Sequence, residues 1–262
     1  GLVFCGGGAR ALAHLGVLDE LEAAGLTIDR FAGTSMGAIV AAAAATGMDA
    51  AAIDAHVYEY FIRNNPTGDY TLPSKGVIRG QRTVAGLRSF FGGRLVEELP
   101  KEFRCVSVDL LARQAIVHRR GVLADVVGCS LRVPGLFPPL IYDGTLHVDG
   151  GVLDDLPVGT LAGTEGPLIA VNIRTGGGPN PRAATEQRRL PRIPSIADTL
   201  NRIMTIGSGM ATAAELAQAD VAIRPDVGDV GFLEWYQIDR AREAGRIATR
   251  EALPQIMALV QR

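Results

Sequence analysis

The sequence predicts an α/β protein: a mostly parallel sheet covered by helices. Three observations predict it. In the first 50 residues two short apolar runs alternate with two segments of helical period, a βαβα pattern that requires parallel strands joined by helical crossovers. Residues 168–173 are almost continuously apolar, as a strand buried on both faces is. The C-terminal part then repeats the alternation as a long helix, a short strand and a final helix.

Taken in order, Leu2-Val3-Phe4-Cys5 is the first strand, closed by Gly6-Gly7-Gly8-Ala9-Arg10. Leu12, Leu15, Leu18 and Leu21 recur at helical spacing as far as Gly25, which suits a C-cap. Residues 28–33 form the second strand, and residues 36–46 the alanine-rich helix after it. Helix continues over 49–64. A turn at Asn64-Asn65-Pro66-Thr67-Gly68, an extended excursion over 70–79 and a helix to Phe91 follow. Residues 103–109 and 114–118 read as paired strands and 122–131 as a helix, ended by Pro134, Gly135, Pro138 and Pro139. Asp143-Gly144-Thr145 is a turn, leading to the run Leu146-His147-Val148 and then Asp149-Gly150-Gly151. Residues 174–192, rich in Gly, Pro and Arg without periodicity, read as a mobile loop. A helix is expected over 195–218, a strand over 220–224, and the last helix from about residue 236. No internal repeat or domain boundary is visible, so 1–262 reads as a single domain. It opens without an initiator Met just before a glycine loop, as a domain cut from a longer protein would.

Composition excludes several classes. With 47% hydrophobic residues, 21% charged and a net charge of −2, the chain is an ordinary globular domain with no basic surplus for nucleic acid. The longest apolar stretches fall short of the ~18 residues a membrane span needs. The cysteines, Cys5, Cys105 and Cys129, are odd in number, widely spaced and set among apolar residues. They read as reduced core residues, neither a disulfide framework nor a metal site. With no signal-peptide pattern, the expected location is the cytoplasm, or the cytoplasmic face of a membrane where a longer parent chain is attached.

The chemistry centres on Gly33-Thr34-Ser35-Met36-Gly37, a Gly-x-Ser-x-Gly between a strand and a helix. It reads as a nucleophile elbow, with the serine on a sharp turn at a helix N-terminus and Gly33 and Gly37 allowing close approach. The loop from Gly6 to Arg10 admits two readings. With Ala11 it satisfies the dinucleotide fingerprint, and Asp29 lies about 20 residues on. That acid, however, sits at the start of the second strand rather than its end, where Gly33-Thr34-Ser35 stands instead. The preferred reading is an oxyanion hole, with glycine N–H groups aimed above Ser35. Arg10, a cation in the first helical turn, opposes the helix dipole and reads either as serving an anion or as a surface ion pair.

A serine needs a base. The histidines are His14, His56, His118 and His147, and none follows residue 147, against the usual order of an α/β-hydrolase triad. A triad would need His147 with Asp109 or Asp125. Asp149 is the better candidate: a carboxylate at a strand end, followed by two glycines. An ordinary Asp, with a pKa of ~3.9, is a poor base, and desolvation by the nearby Pro134-Gly135-Leu136-Phe137-Pro138-Pro139 segment would raise it. Asp154 and Asp155 read as a helix cap and its neighbour. His147 shares a face with Asp149 and reads as a packed neutral histidine or a supporting group. Residues 136–142, with Phe232, Trp235 and Tyr236, read as core or as the lining of an acyl pocket.

Together, Gly6-Gly7-Gly8-Ala9-Arg10, Gly33-Thr34-Ser35-Met36-Gly37, Val133-Pro134-Gly135-Leu136-Phe137-Pro138-Pro139 and Asp149-Gly150-Gly151 resemble the motifs of the patatin-like phospholipases. The resemblance covers essentially the whole chain. It is greatest to the catalytic domain of neuropathy target esterase and its bacterial relatives, through Ser89-Phe90-Phe91-Gly92-Gly93 and the stretch from Asp239 to Ala248. It implies a three-layer α/β/α patatin-like fold with a mostly parallel central sheet. It also implies a Ser–Asp dyad of Ser35 and Asp149, an oxyanion hole in the loop from Gly6 to Arg10, and no metal or cofactor. The partner implied is a lipid or lysolipid substrate, with peripheral membrane contact and no nucleic acid. Where relatives commonly carry Gly after the Arg, this chain has Ala11, which would tighten access to the oxyanion site slightly. The leading expectation is a lipid acyl hydrolase. The alternatives are a regulatory or lipid-binding module of the same fold with little turnover, and the nucleotide-binding domain.

Overall fold

Residues 1–173 and 193–260 are described by a computed structural model. β1 (Leu2–Phe4) is followed by a 3-10 turn at Gly8–Leu12 and α1 (Ala13–Ala23), so the helix expected from Leu12 begins as a tighter turn. β2 (Arg30–Thr34) leads through Ser35 into α2 (Met36–Ala45), in which every residue is buried. A helix apolar all round belongs inside the protein, and its run of alanines lets it lie close to the sheet. α3 (Ala50–Val57), capped by Asp49 accepting from the Ala52 N–H at 2.7 Å, passes into a π turn at Tyr58–Arg63. Then come α4 (Gln81–Phe91), the antiparallel pair β3 (Glu102–Asp109) and β4 (Gln114–His118), and α5 (Leu123–Ser130). β5 (Leu140–Tyr142) and β6 (Thr145–Asp149) form a hairpin. β7 (Ile169–Val171), α6 (Ile196–Leu216), β8 (Val221–Ile223) and α7 (Ile238–Val260) complete the described elements.

The strands form one mixed sheet in the order β5-β6-β3-β2-β1-β7-β8, with β4 also on β3. β8, β7, β1, β2 and β3 run parallel; β4 and β6 are antiparallel to β3. The steps β1-α1-β2 and β2-α2-β3 move one way across the sheet, and β7-α6-β8 the other. Right-handed crossovers therefore place α6 on the face opposite α1 and α2. α7 returns to α1, packed backbone to backbone at two glycines: a Cβ on Gly16 would lie 1.9 Å from the Arg242 carbonyl oxygen, and one on Gly245 2.0 Å from that of Ala13.

One feature of register positions the site. The N-terminal half of β3 pairs with β2, Thr34 lying opposite Val106, and its C-terminal half pairs with β6, Asp149 lying opposite Ser107. β4 occupies β3's other edge across Cys105 to Asp109, so β2 and β6 meet end to end on the same edge. Gly150 marks the junction: a Cβ there would lie 2.3 Å from the Val106 carbonyl oxygen and 3.0 Å from Thr34 Cγ2.

The core is continuous around this sheet. Leu2, Val3 and Phe4 are fully buried, as are Leu12 and Leu123, each such large side chain contributing roughly 1.5–3 kcal/mol. A smaller cluster of Ile78, Val133, Leu136, Phe137, Ala197 and Phe232 sits apart from it. Cys5, Cys105 and Cys129 are buried free thiols. The Arg-rich stretch with Arg182, Arg188, Arg189 and Arg192 lies outside the described residues. No described helix is long and apolar enough to cross a membrane.

Candidate active site

Ser35 has φ 54° and ψ −128°, a left-handed conformation unusual for a residue with a Cβ, held at a cost of order 1–3 kcal/mol. Two contacts impose it. The Ser35 N–H donates to Ser130 Oγ at 2.8 Å, and that hydroxyl in turn donates to the Val106 carbonyl at 2.6 Å. Gly37 is pressed against the end of β1: a Cβ would lie 2.4 Å from the Cys5 carbonyl oxygen. At Gly33 it would lie 2.6 Å from the Gly37 carbonyl. This is the strand-turn-helix geometry that Gly-x-Ser-x-Gly serves. Ser35 itself is 6% exposed, at the wall of an apolar pocket.

The loop after β1 turns beside the serine, where a Gly6 Cβ would lie 3.1 Å from Ser35 Cβ. Its N–H groups are not equivalent. Gly6 donates to the Asp155 carbonyl at 3.1 Å and Ala9 to that of Phe232 at 2.8 Å. Gly7 (φ 145°) and Gly8 (φ 58°) adopt conformations that L side chains rarely take, and their N–H groups have no backbone acceptor among the described residues. Of the expected donor set, the Gly6 and Ala9 N–H groups are thus engaged within the protein. Arg10 is the cationic partner of a structural acid: its Nε donates to the Val230 carbonyl at 2.6 Å and its guanidinium pairs with Asp198 at 3.2 Å. The ion-pair reading of this side chain is the one observed, because the N-terminus of α6 supplies the carboxylate.

Asp149 is 1% exposed at the end of β6. Its N–H donates to the Arg132 carbonyl at 3.0 Å, and its Oδ1 accepts the Gly151 N–H at 2.8 Å. The carboxylate is thereby turned back over the glycine turn. Thr34 Oγ1 ties the two ends together by donating to the Asp154 carbonyl at 2.9 Å. Asp154 and Asp155 cap no helix, in contrast to the expectation. They lie in the loop after the 3-10 turn Gly150–Val152, where the chain folds back under the glycine loop. Burial, with Glu215 and Asp155 nearby, raises the Asp154 carboxyl to about 7. Asp155 is 2% exposed, and a Cβ on Gly6 or Gly151 would lie 2.7 or 3.0 Å from its Oδ1.

His147 forms no triad with Ser35. Its Nδ1 lies 2.7 Å from Ser107 Oγ, and Asp109 Oδ1 accepts from the Leu111 and Ala112 N–H groups. Burial lowers the pKa of His147, as a packed neutral imidazole requires. Asp29 stands before β2, at the opposite end of that strand from Ser35, which removes the ribose-binding acid of the dinucleotide reading.

The pocket at Ser35 is apolar, lined by Gly8, Met36, Ile39, Phe61, Phe232 and Trp235 among others. Phe137 lines it too, while Tyr236 is 73% exposed and Ile141 75%, so those two leave the expected lining. Two residues that the motifs do not mark hold the site: Ser130 and His14. His14, fully buried in α1, donates Nε2–H to the Cys5 carbonyl at 2.9 Å, just before the glycine loop. Burial lowers its pKa from 6.5 to about 4. The one available signal was a polar residue on the otherwise apolar side of each helix.

Comparison with known proteins agrees with this geometry. Residues 2–162 match the patatin-like phospholipase family. An NTE family protein of Mycobacterium tuberculosis is 42% identical over 268 residues, covering 97% of this chain and 46% of that protein. A lysophospholipase of Neurospora crassa is 26% identical over 98% of this chain and 18% of its own length. The chain thus spans about half the length, or less, of these curated relatives. The crystal structure of VipD from Legionella pneumophila shares the fold, with a TM-score of 0.55 at 17% identity, covering 97% of this chain and 66% of that one. With an elbow serine, a glycine loop and an aspartate brought to one sheet edge, and a match of this extent, the chain belongs to the patatin-like phospholipase family.

Proposed function

We propose that this domain is a serine acyl hydrolase cleaving the carboxylic esters of lysophospholipids or phospholipids, with Ser35 as nucleophile and Asp149 as its base. One observation carries the reading: β2 and β6 end against each other on one edge of β3, Thr34 opposite Val106 and Asp149 opposite Ser107. Neighbouring register positions are ~3.4 Å apart along a strand, so the residues that follow these ends share one small volume.

In this reading Ser35 Oγ attacks the ester carbonyl as Asp149 takes its proton. The oxygen that becomes negative faces the Gly7 and Gly8 N–H groups and the N-terminus of α2. Protonated Asp149 returns the proton to the departing alcohol. Water, deprotonated by Asp149, then attacks the acyl-serine; the fatty acid leaves as Asp149 returns the proton to Ser35 Oγ. Burial of Asp149 strengthens the carboxylate's interaction with the proton it shares with Ser35. The apolar pocket beside Ser35 suits an acyl chain, with Phe232 and Trp235 among its walls. The lysophospholipase named among the relatives supports a one-chain substrate.

For the partner surface, we infer peripheral contact with lipid. Ile196, Ile203, Ile206 and Met210 recur on one side of α6 at 60–88% exposure, on the helix whose inner Met204 reaches Gly151. The deciding experiment is fatty-acid release from lysophosphatidylcholine and from a short-chain nitrophenyl ester by wild type, Ser35→Ala and Asp149→Asn. Loss of both activities in both variants is expected. Activity retained in either variant refutes the dyad, and cleavage of the small ester alone refutes the lipid substrate.

A further inference from the structure

We propose that His118, Cys129 and His147 form a binding site for one soft or borderline divalent cation, Zn2+ being the ion whose preferences their donors match. The residues stand eleven and eighteen positions apart on three different elements, and their spacing follows no metal motif. The fold assembles them. His118 ends β4 opposite Cys105, and His147 lies on β6 opposite Asp109, so the two imidazoles flank Ser107 on either edge of β3. Cys129, in the last turn of α5, closes the group. The ligand atoms all lie within 4.8 Å of one another, and all three residues are buried.

The donor set is two imidazole nitrogens and a sulfur, which zinc takes at ~2.0–2.1 Å and ~2.3 Å in a tetrahedral arrangement. That geometry needs donor separations of roughly 3.3–3.6 Å, a contraction of about 1 Å that side-chain torsions can supply. The two imidazoles also converge on one hydroxyl. Ser107 Oγ lies 2.7 Å from both His118 Nε2 and His147 Nδ1, so it can accept from one ring and donate to the other. The His147 ring also faces the Tyr142 backbone, and its buried Nε2 makes no hydrogen bond of normal geometry. The Tyr142 ring packs edge-on against both imidazoles, at 6.0 and 5.9 Å. Entry is available, because His118 and Tyr142 also wall an open surface cleft of about 610 Å³. Three protein ligands leave a fourth position for water or for Ser107 Oγ. A cation here would clamp β4, α5 and β6 together, two residues upstream of Asp149 on the same strand. The inference does not depend on the ester chemistry proposed above.

The test uses the intact chain, stripped with a chelator and desalted, then titrated with Zn2+ alone and, separately, with Co2+. Metal content after gel filtration, the Co2+ absorption spectrum and the midpoint of thermal unfolding are the readouts. One retained Zn2+ per chain, a thiolate-to-Co2+ charge-transfer band and a midpoint raised by zinc are expected. Cys129→Ser should remove the charge-transfer band, and His147→Gln should weaken zinc binding at least tenfold. Zinc retained equally by a Cys129→Ser/His147→Gln chain would overturn the proposal, as adventitious surface binding. So would a wild-type Co2+ spectrum without the thiolate band, a measurement that decides the matter even if the variants fail to fold.

Discussion

Acidification should destabilise this domain through His14, by an amount the structure allows to be worked out. The side chain is fully buried, donates one nitrogen to the Cys5 carbonyl at 2.9 Å, and leaves its Nδ1 without a partner. Its ring lies 4.4 Å from that of Phe4, so a charge there would have no solvent and no counter-ion. Desolvation lowers its pKa from 6.5 to about 4, the Cys5 hydrogen bond opposing the shift. A histidine depressed in the native state is neutral in both states above pH 6.5, where its contribution is constant. Below that, the unfolded chain gains a proton that the folded chain refuses until about pH 4. Stability is therefore lost as pH falls through this window, by about 3 kcal/mol for a shift of this size. The assay is urea unfolding at pH 7.5 and 4.5 for wild type and His14→Gln, whose amide can still donate to Cys5. His118, also lowered to about 4 by burial and by His147, titrates in both proteins and cancels in the difference. Wild type should lose about 2–3 kcal/mol more than the variant across this interval. Equal losses would refute the buried neutral imidazole.

Three further outcomes follow from the same contacts. Gly37→Ala should abolish nucleophile labelling by a fluorophosphonate and lower stability by roughly 2–4 kcal/mol, because its Cβ would collide with the Cys5 carbonyl at 2.4 Å; unchanged labelling would contradict the elbow. Asp154→Asn should stabilise the domain above pH 7 and have little effect below pH 4. A carboxyl raised to about 7 binds its proton more tightly folded than unfolded, so stability falls as pH rises toward that value; chemical denaturation at the two pH values reads this directly. Replacing Ile203 and Met210 with Ser should reduce sedimentation with phosphatidylcholine vesicles severalfold while leaving cleavage of a soluble short-chain ester intact. Equal sedimentation would exclude this face of α6.

The βαβα start, the paired strands at 103–118 and the closing helices were legible in the sequence, because each rests on local periodicity and turn chemistry. Ser35 was legible too, since Gly-x-Ser-x-Gly between a strand and a helix marks a tight turn, although Ser130 and the end of β1 hold it at φ 54°. Asp149 was legible as a candidate, since a carboxylate before two glycines at a strand end is itself a local pattern. What the sequence could not contain was register. Asp149 and Thr34, the residue before Ser35, end their strands on one edge of β3, a juxtaposition of segments more than 100 residues apart. Tertiary structure likewise decided that the Gly6 and Ala9 N–H groups are bonded to the Asp155 and Phe232 carbonyls. It gave Arg10 to Asp198, and it took Asp154 and Asp155 out of any helix. It also gathered His118, Cys129 and His147, whose spacing reads as unrelated core residues. The physical reason is common to all of these. Local backbone conformation depends on neighbours in the chain, whereas which polar groups face each other depends on strand pairing and helix packing across the whole fold.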